Sequence, residues 1–326
     1  MSILDQASGE RWAIYNADTV DVARGLPDDS CGLSIFSPPF SSLYSFSDSP
    51  RDMSNNTSDA GFFEQFGHLV TEQHRVMKPG GIVVIHCVDL VCTNARDGFI
   101  GRRDFPGDLL RAYERAAFVY HSRVTIWKDP VLAMQRSKSI GLLHKQLCKD
   151  SSVSRQGIAE SLIVMRKLGE RLPPVAHAHV DGDVFGNCNG RSAASTTASI
   201  DLWQQYASPI WATPNGEAPD GFVSLGPDID PGDTLNARAA REEKDEAHLC
   251  PLQLEVIRRC VRLWSHKDDV VWSPFAGIGS EGYIAVQEGR RFIGAELKRS
   301  YYLQAVANLR AASKPSAHAV DLLEGL

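Results

Sequence analysis

The sequence predicts an α/β protein: a doubly wound, parallel sheet interrupted by one long insertion. Three observations predict it. Residues 10–127 alternate short apolar runs with stretches of helical spacing, residues 128–247 lose that rhythm, and residues 248–312 regain it. Strands alternating with helices indicate βαβ units, because parallel neighbours need a crossover of helix length. With 326 residues, 43% of them hydrophobic, the chain can bury a sizeable core.

The elements follow in order. "RWAIYNAD" (11–18) is a short strand with Asp18 at its end, and "CGLSIF" (31–36) is a buried one. "SDAGFFEQFGHLVTEQHRVM" (58–77) has apolar residues at helical spacing behind a Ser58 or Asp59 cap. "KPGG" breaks it, and "IVVIHC" (82–87) is a buried strand. "PGDLLRAYERAAF" (106–118) is a helix with Pro at its start, and "SRVTIW" (122–127) a further strand. Beyond the insertion come a helix (251–264), a strand "DDVVW" (268–272), a Gly-rich turn "SPFAGIGSEG", a helix "GYIAVQEG", a strand "RFIGAEL" (291–297) and a helix (299–312). On this pattern 1–127 and 248–326 are the halves of one domain, and 128–247 is the insertion.

The insertion is rich in Ser, Thr, Asn, Gly and Pro, too long for a simple connector. Its charge is uneven. Residues 121–171 carry ten Lys and Arg against four Asp and Glu, whereas 214–246 carry nine acids against three bases. The basic block is either a solvated face or one that tracks phosphates. The net charge of −6 argues mildly against nucleic acid for the chain as a whole. The seven cysteines form no CxxC pair and no zinc spacing, so no metal is expected. Several lie in apolar runs and read as reduced thiols of a cytoplasmic protein. No stretch approaches 18 uncharged apolar residues, so no membrane span is expected.

Two motifs carry chemistry. The strand 31–36 stops at "SPPF" (37–40). Pro38 and Pro39 lack N–H groups and have fixed φ, so the chain leaves the sheet stiff and extended. A rigid loop with free carbonyls, a hydroxyl and an aromatic ring suits a flat, amine-bearing ligand; a plain strand exit is the alternative. The second motif, "GIGSEG" (277–282), has the G-x-G-x-x-G pattern between a strand and a helix, with Glu296 fourteen residues beyond. A dehydrogenase needs several βα units after that fingerprint, and thirty residues remain after Glu296. The turn still permits close backbone approach to a ligand, and an acid after the next strand can accept from ribose hydroxyls. That suits an adenosine-containing cofactor.

Taken together, "SPPF" near the N-terminus and "PFAGIGS…GRRFIGAEL…YYLQAVANL" near the C-terminus resemble the β class of DNA amino-methyltransferases. In that class a [DNS]-P-P-[YFW] motif precedes an F-x-G-x-G motif, with the target-recognition region between. "RVMKPGGIVVIH" and "HLCPLQLEVIRRCVRLWSHKDD" are similar to two further segments, and 121–157 looks like stand-alone, phage-type members. The chain departs in three places: Ser273 where Asp is usual, "HLCPLQL" in place of His-Pro-x-x-x-Pro, and Ser37 in place of Asp.

The resemblance implies a Rossmann-like methyltransferase sheet, S-adenosylmethionine as cofactor and double-stranded DNA as partner. It implies that Ser37 and the Pro38 carbonyl accept from the target amine, that the Pro38–Pro39 pair stiffens them, and that Phe40 stacks on a flipped base. The cofactor would lie over Gly277, Gly279 and Ser280, with its ribose at Glu296 and Leu297 and its adenine near Pro274 and Phe275. Asp18 resembles the acid that bonds the adenine amine, though a loop-start cap serves as well; Pro251 and Gln253 belong to the segment leading into the cofactor motif. Arg123, Lys128, Arg136, Lys138, Lys145 and Arg155 are the candidate DNA contacts. Adenine N6 is preferred as target over cytosine N4, to which Ser-Pro-Pro-aromatic motifs are commonly linked. An RNA or protein-amide methyltransferase and a non-catalytic binding module are the rival classes. A homodimer and a restriction–modification role are left open.

Overall fold

A computed structural model of the chain describes residues 3–40, 49, 51–56, 58–128, 143–170, 206–211, 229–230, 232–236 and 252–314. Eleven strands are defined among them: β1 (Ile3–Ser8), β2 (Trp12–Ala17), β3 (Cys31–Phe36), β4 (Met77–Val88), β5 (Leu90–Cys92), β6 (Gly101–Arg103), β7 (Phe118–Ile126), β8 (Glu160–Lys167), β9 (Ile210–Trp211), β10 (Val270–Ser273) and β11 (Arg291–Glu296). The helices are α1 (Thr19–Gly25), α2 (Asp59–Val76), α3 (Asn94–Asp97), α4 (Phe105–Arg115), α5 (His144–Lys149), α6 (Leu254–Trp264), α7 (Ser280–Gln287) and α8 (Arg299–Ala312).

Nine strands form one sheet in the order β1-β2-β11-β10-β3-β4-β8-β7-β9; β5 and β6 pair as a separate hairpin. The five central strands from β2 to β4 run parallel, while β1 and β8 are antiparallel to their neighbours. The sheet is covered on both faces. One core packs α2 and α4 through Phe62, Phe66, Leu69, Leu109 and Tyr113; the other packs α6, α7 and α8 through Val256, Ile257, Ile284, Tyr302 and Leu309. This is the expected α/β architecture.

Local sequence explains the helices. Ser58 accepts from the Gly61 N–H at 3.2 Å and caps α2, a bond whose loss costs about 1 kcal/mol. Behind it Phe62, Phe66, Leu69, Val70 and Val76 recur on one buried stripe. Asp104 caps α4 in the same way, with Pro106 in the first turn. A buried polar chain ties the layers together. Tyr113 donates to Gln73 Oε1, Gln73 donates to Ser34 Oγ at 3.1 Å, and Ser34 donates to the Trp272 carbonyl at 2.9 Å.

Two expectations are corrected here, and one strand was not expected. "KPGG" is not a loop but the start of β4, which begins at Met77; a register shift opposite Cys31 and Leu33 absorbs it, with Gly80 at φ 70°. The period-two pattern of "ILDQAS" forms the edge strand β1. The boundary at 127 does not separate sheet from insertion. β8 lies within 128–247, yet it sits between β4 and β7, with Leu162, Ile163, Val164 and Met165 fully buried, and β9 adds to β7. No helix among the described residues is long and apolar enough to cross a membrane. Cys31, Cys87, Cys92 and Cys260 are buried free thiols, and no metal-binding cluster occurs among the described residues.

Candidate active site

The two motifs, more than 230 residues apart in the chain, leave the sheet side by side. β3 and β10 are parallel neighbours, with Ser34 opposite Trp272. "SPPF" therefore follows β3 at the same carboxyl edge where "SPFAGIG" follows β10. From this pair the chain winds in opposite directions: β3 through α2 to β4, and β10 through α7 to β11 on the other face. Such a switch point opens a crevice at the strand ends. Phe36 and Phe275 meet across it, ring centroids 5.7 Å apart.

In the Ser-Pro-Pro-Phe loop, Pro38 is buried and Ser37, Pro39 and Phe40 are half-buried. Phe40 meets Phe105 of α4 edge-on at 6.4 Å. Ser37 Oγ lies 2.8 Å from His86 Nδ1. Sheet register makes this contact: Phe36 pairs with Ile85, so the next residues on β3 and β4 are adjacent. His86 Nε2 lies 3.2 Å from Glu160 Oε2, close enough to pair but too bent for a hydrogen bond. Lys128 pairs with the other Glu160 oxygen. Burial pushes the Glu160 carboxyl up, but His86 and Lys128 together outweigh it and hold it down at about 2.

The glycine turn is shaped around empty space. Gly277 has φ 52° and no atom within 4 Å of where a Cβ would stand; Gly279, φ 82°, would meet Ala305 at 3.1 Å. Glu296, at the end of β11, accepts from the Gly277 N–H and the Lys298 N–H, each at 2.8 Å, one on each oxygen. These bonds aim the carboxyl back at the turn. Burial pushes Glu296 up to about 7 against those two bonds. Glu281, in the first turn of α7, is pushed up to about 8 by burial and further by Glu296, with a backbone bond opposing. The Ser280 hydroxyl is buried with no hydrogen-bond partner, as is that of Ser273. Asn16 donates to the carbonyls of Glu296 and Leu297, both at 2.8 Å, and locks β2 to the exit of β11.

Other expected residues fall elsewhere. Asp18 caps α1, accepting from Val20 and Asp21 through a single oxygen, Oδ1. Pro274 is buried beneath the turn. Gln253 is buried at the start of α6, with Oε1 unpartnered. Pro251, Arg136 and Lys138 lie outside the described residues. Arg123 and Lys145 are exposed. Arg155 is half-buried, held below its ordinary range by burial and by the charge of Arg102. Lys128 is corrected: it is part-exposed and ion-paired to the buried Glu160 behind Ser37, not a free surface cation. His86, Glu160, Asn16 and Glu281 were not expected. No local pattern marks a lone His at a strand end or a lone Glu opening a strand.

The comparisons with known proteins bear on this site. Residues 32–307 match the family of DNA methylases, the N6/N4 methyltransferases, and that span holds both motifs. The chain belongs to the DNA methylase family. S-adenosylmethionine-dependent methylation of DNA is the family's reaction. Among curated relatives, the type II methyltransferase M.BglII of Bacillus subtilis is 22% identical over 88% of this chain, which spans 66% of that relative's length. M.BglI of Bacillus subtilis is 21% identical over 89% of this chain and 83% of its own. Of solved structures, a Thermus thermophilus protein named as a DNA modification methylase and complexed with S-adenosyl-L-methionine aligns with TM-score 0.61 and 19% identity, covering 94% of this chain and 95% of that one. The PvuII DNA methyltransferase, named cytosine-N4-specific, aligns with TM-score 0.60 and 14% identity, covering 97% and 92%. At these identities the structural likeness is one of fold.

Within a DNA methylase the glycine turn fits S-adenosylmethionine. The open space over Gly277 accepts a close ligand, the unpartnered Ser280 hydroxyl offers it a hydrogen bond, and Glu296 can accept from ribose hydroxyls.

Proposed function

We propose that this chain methylates the exocyclic amine of a base flipped out of duplex DNA, at the pocket between the two loops. The placement of Ser37 and the glycine turn on adjacent parallel strands carries this reading. The bound cofactor supplies an electrophilic methyl group. The chain's residues make the amine a nucleophile. An amine conjugated to its ring is a poor one, and acceptors on its N–H bonds draw the nitrogen toward tetrahedral geometry. Ser37 Oγ and the Pro38 carbonyl are those acceptors, fixed in advance by the proline pair. Phe40, braced by Phe105, stacks on the base. Flipping costs a few kcal/mol. Phosphate contacts from the basic surface, with Arg123, Lys145 and Arg155 on the described part, offset it.

We read cytosine N4 as the target. The motif opens with Ser37, and Ser-Pro-Pro-aromatic motifs are commonly linked to that base. Adenine N6 is the second reading, favoured by a 33% identity over 27% of this chain to the DNA adenine methyltransferase YhdJ of Escherichia coli (strain K12). Incubation with labelled S-adenosylmethionine and duplex DNA, followed by nucleoside analysis, tests both. N4-methylcytosine supports the first and N6-methyladenine the second; label in RNA or protein alone overturns the proposal. Ser37→Ala and Phe40→Ala should each abolish most turnover with the melting temperature nearly unchanged.

A further inference from the structure

Behind Ser37 runs a chain of three polar residues that the motif itself does not contain. Ser37 Oγ lies 2.8 Å from His86 Nδ1, His86 Nε2 lies 3.2 Å from Glu160 Oε2, and Lys128 holds Glu160 Oε1. The sheet assembles it from three elements. His86 and Val88 share one face of β4, Glu160 pairs opposite Val88 in β8, and Ile126, two residues before Lys128, pairs with Glu160. His86 and Glu160 are buried.

This arrangement determines where hydrogens lie. Glu160 is ionised, with a cation on one oxygen and the imidazole beside the other. The charge of a carboxylate 3.2 Å away favours a proton over a lone pair on the ring nitrogen that faces it, even without a hydrogen bond, so the proton sits on Nε2. With a single ring proton, that leaves Nδ1 bare, and it can only accept. The Ser37 hydroxyl is the donor, and its single hydrogen is used on His86. Only lone pairs remain on Oγ. The opposite tautomer would donate from Nδ1 to Ser37 and leave the hydroxyl hydrogen turned to the base, where an amine N–H needs an acceptor.

We propose that His86, fixed by Glu160 and Lys128, is a positioning residue that directs the Ser37 hydrogen away from the base and so makes Oγ an acceptor for the target amine. The inference rests on the reading that Ser37 meets that amine. It explains why a serine serves here without a charge: the hydroxyl is polarised from behind by an ionised carboxylate acting through a ring. It also gives Lys128 a role, since without it Glu160 would keep a less balanced charge in a buried position.

Two measurements test it. Histidine-labelled full-length protein, studied by nitrogen NMR at neutral pH, should show His86 with a protonated Nε2 and a bare Nδ1; Glu160→Gln should mix the tautomers. In steady-state assays with S-adenosylmethionine and duplex DNA, His86→Leu should lower kcat on the order of 10²-fold while KM for DNA and cofactor affinity stay unchanged. His86→Asn, whose side-chain oxygen can stand in for Nδ1, should regain most of that loss. Ser37→Ala with His86→Leu should be no slower than Ser37→Ala alone, because the histidine acts only through the serine. A protonated Nδ1 in the wild type, wild-type kcat in His86→Leu, or multiplying losses in the double variant each overturns the inference. Should His86→Leu not fold, the wild-type tautomer and His86→Asn decide it. Full turnover in Ser37→Ala would instead overturn the underlying role of the serine.

Discussion

Phe36 and Phe275 lie with ring centroids 5.7 Å apart and planes tilted by 44°, joining the end of β3 to the turn after β10. Phe36 is fully buried and Phe275 half-buried. The pair joins the start of the Ser-Pro-Pro-Phe loop to the glycine turn. Phe275→Ala removes the glycine-turn side of that junction and about 1 kcal/mol of ring–ring contact. It should weaken S-adenosylmethionine binding several-fold by calorimetry and lower kcat too. A variant that lost turnover with cofactor affinity intact would place the adenine elsewhere.

Cofactor affinity should depend on pH through Glu296. Its carboxyl is raised from 4.5 to about 7 by burial, so it gains a proton as pH falls below about 7 and loses charge-assisted acceptance. Binding should be tighter at pH 8 than at pH 6, and Glu296→Gln should flatten the profile. Glu296→Ala should cost about 2–3 kcal/mol of binding at pH 8. Calorimetry across that range checks both.

The same burial has a cost in stability. Glu281 is raised from 4.5 to about 8, so the folded state holds its proton more tightly than the unfolded state. Its contribution is favourable below about 4.5 and is lost as pH rises toward 8. Glu281→Gln, a neutral isostere, should stabilise the protein without cofactor at pH 8.5 and change little at pH 4.5. Denaturant titrations at the two pH values give the comparison.

Glu160 works with the opposite sign. Lowered from 4.5 to about 2, it contributes stability above about 4.5 that disappears as pH falls through 2. Lys128→Met should reduce stability by about 1–3 kcal/mol at pH 7, less than a fully buried pair because Lys128 is part-exposed. Acid unfolding of the variant should begin at higher pH than in the wild type.

Salt dependence separates Lys128 from the surface cations. Lys128→Met should leave the slope of log K for DNA against log salt unchanged. Lys145→Ala and Arg123→Ala should each reduce it by about 0.9 if they neutralise one phosphate. Binding titrations on specific and random duplexes at several salt concentrations test all three. Unchanged slopes throughout would move the DNA to another face.

The sequence made the sheet legible where strand and helix periods alternate, and the switch point legible through two motifs. It concealed β8, because "ESLIVMRK" is an apolar run embedded in a polar, basic region and antiparallel to its neighbour β4. That one strand carries Glu160. Ser37 was visible in its own motif, whereas its support was not: residues 37, 86, 128 and 160 meet only through the register of β3, β4, β8 and β7. Sequence spacing holds no trace of a contact made across four strands. Lys128 looked like one more surface charge for the same reason.

The place of β10 has a consequence for the protein's birth on the ribosome. It fills the gap between β3 and β11 near the middle of the sheet, yet of the described strands only β11 is made after it. Roughly 230 residues separate it from β3, a wait on the order of 12–46 s at about 5–20 residues per second. Throughout that interval one apolar edge of β3 has no partner, and an open strand edge recruits other chains. Nascent chains stopped before residue 270 should therefore precipitate or collect chaperones, while chains that reach the end of β11 should be released in soluble form. The segment from β10 to β11 seals the sheet against aggregation as it emerges.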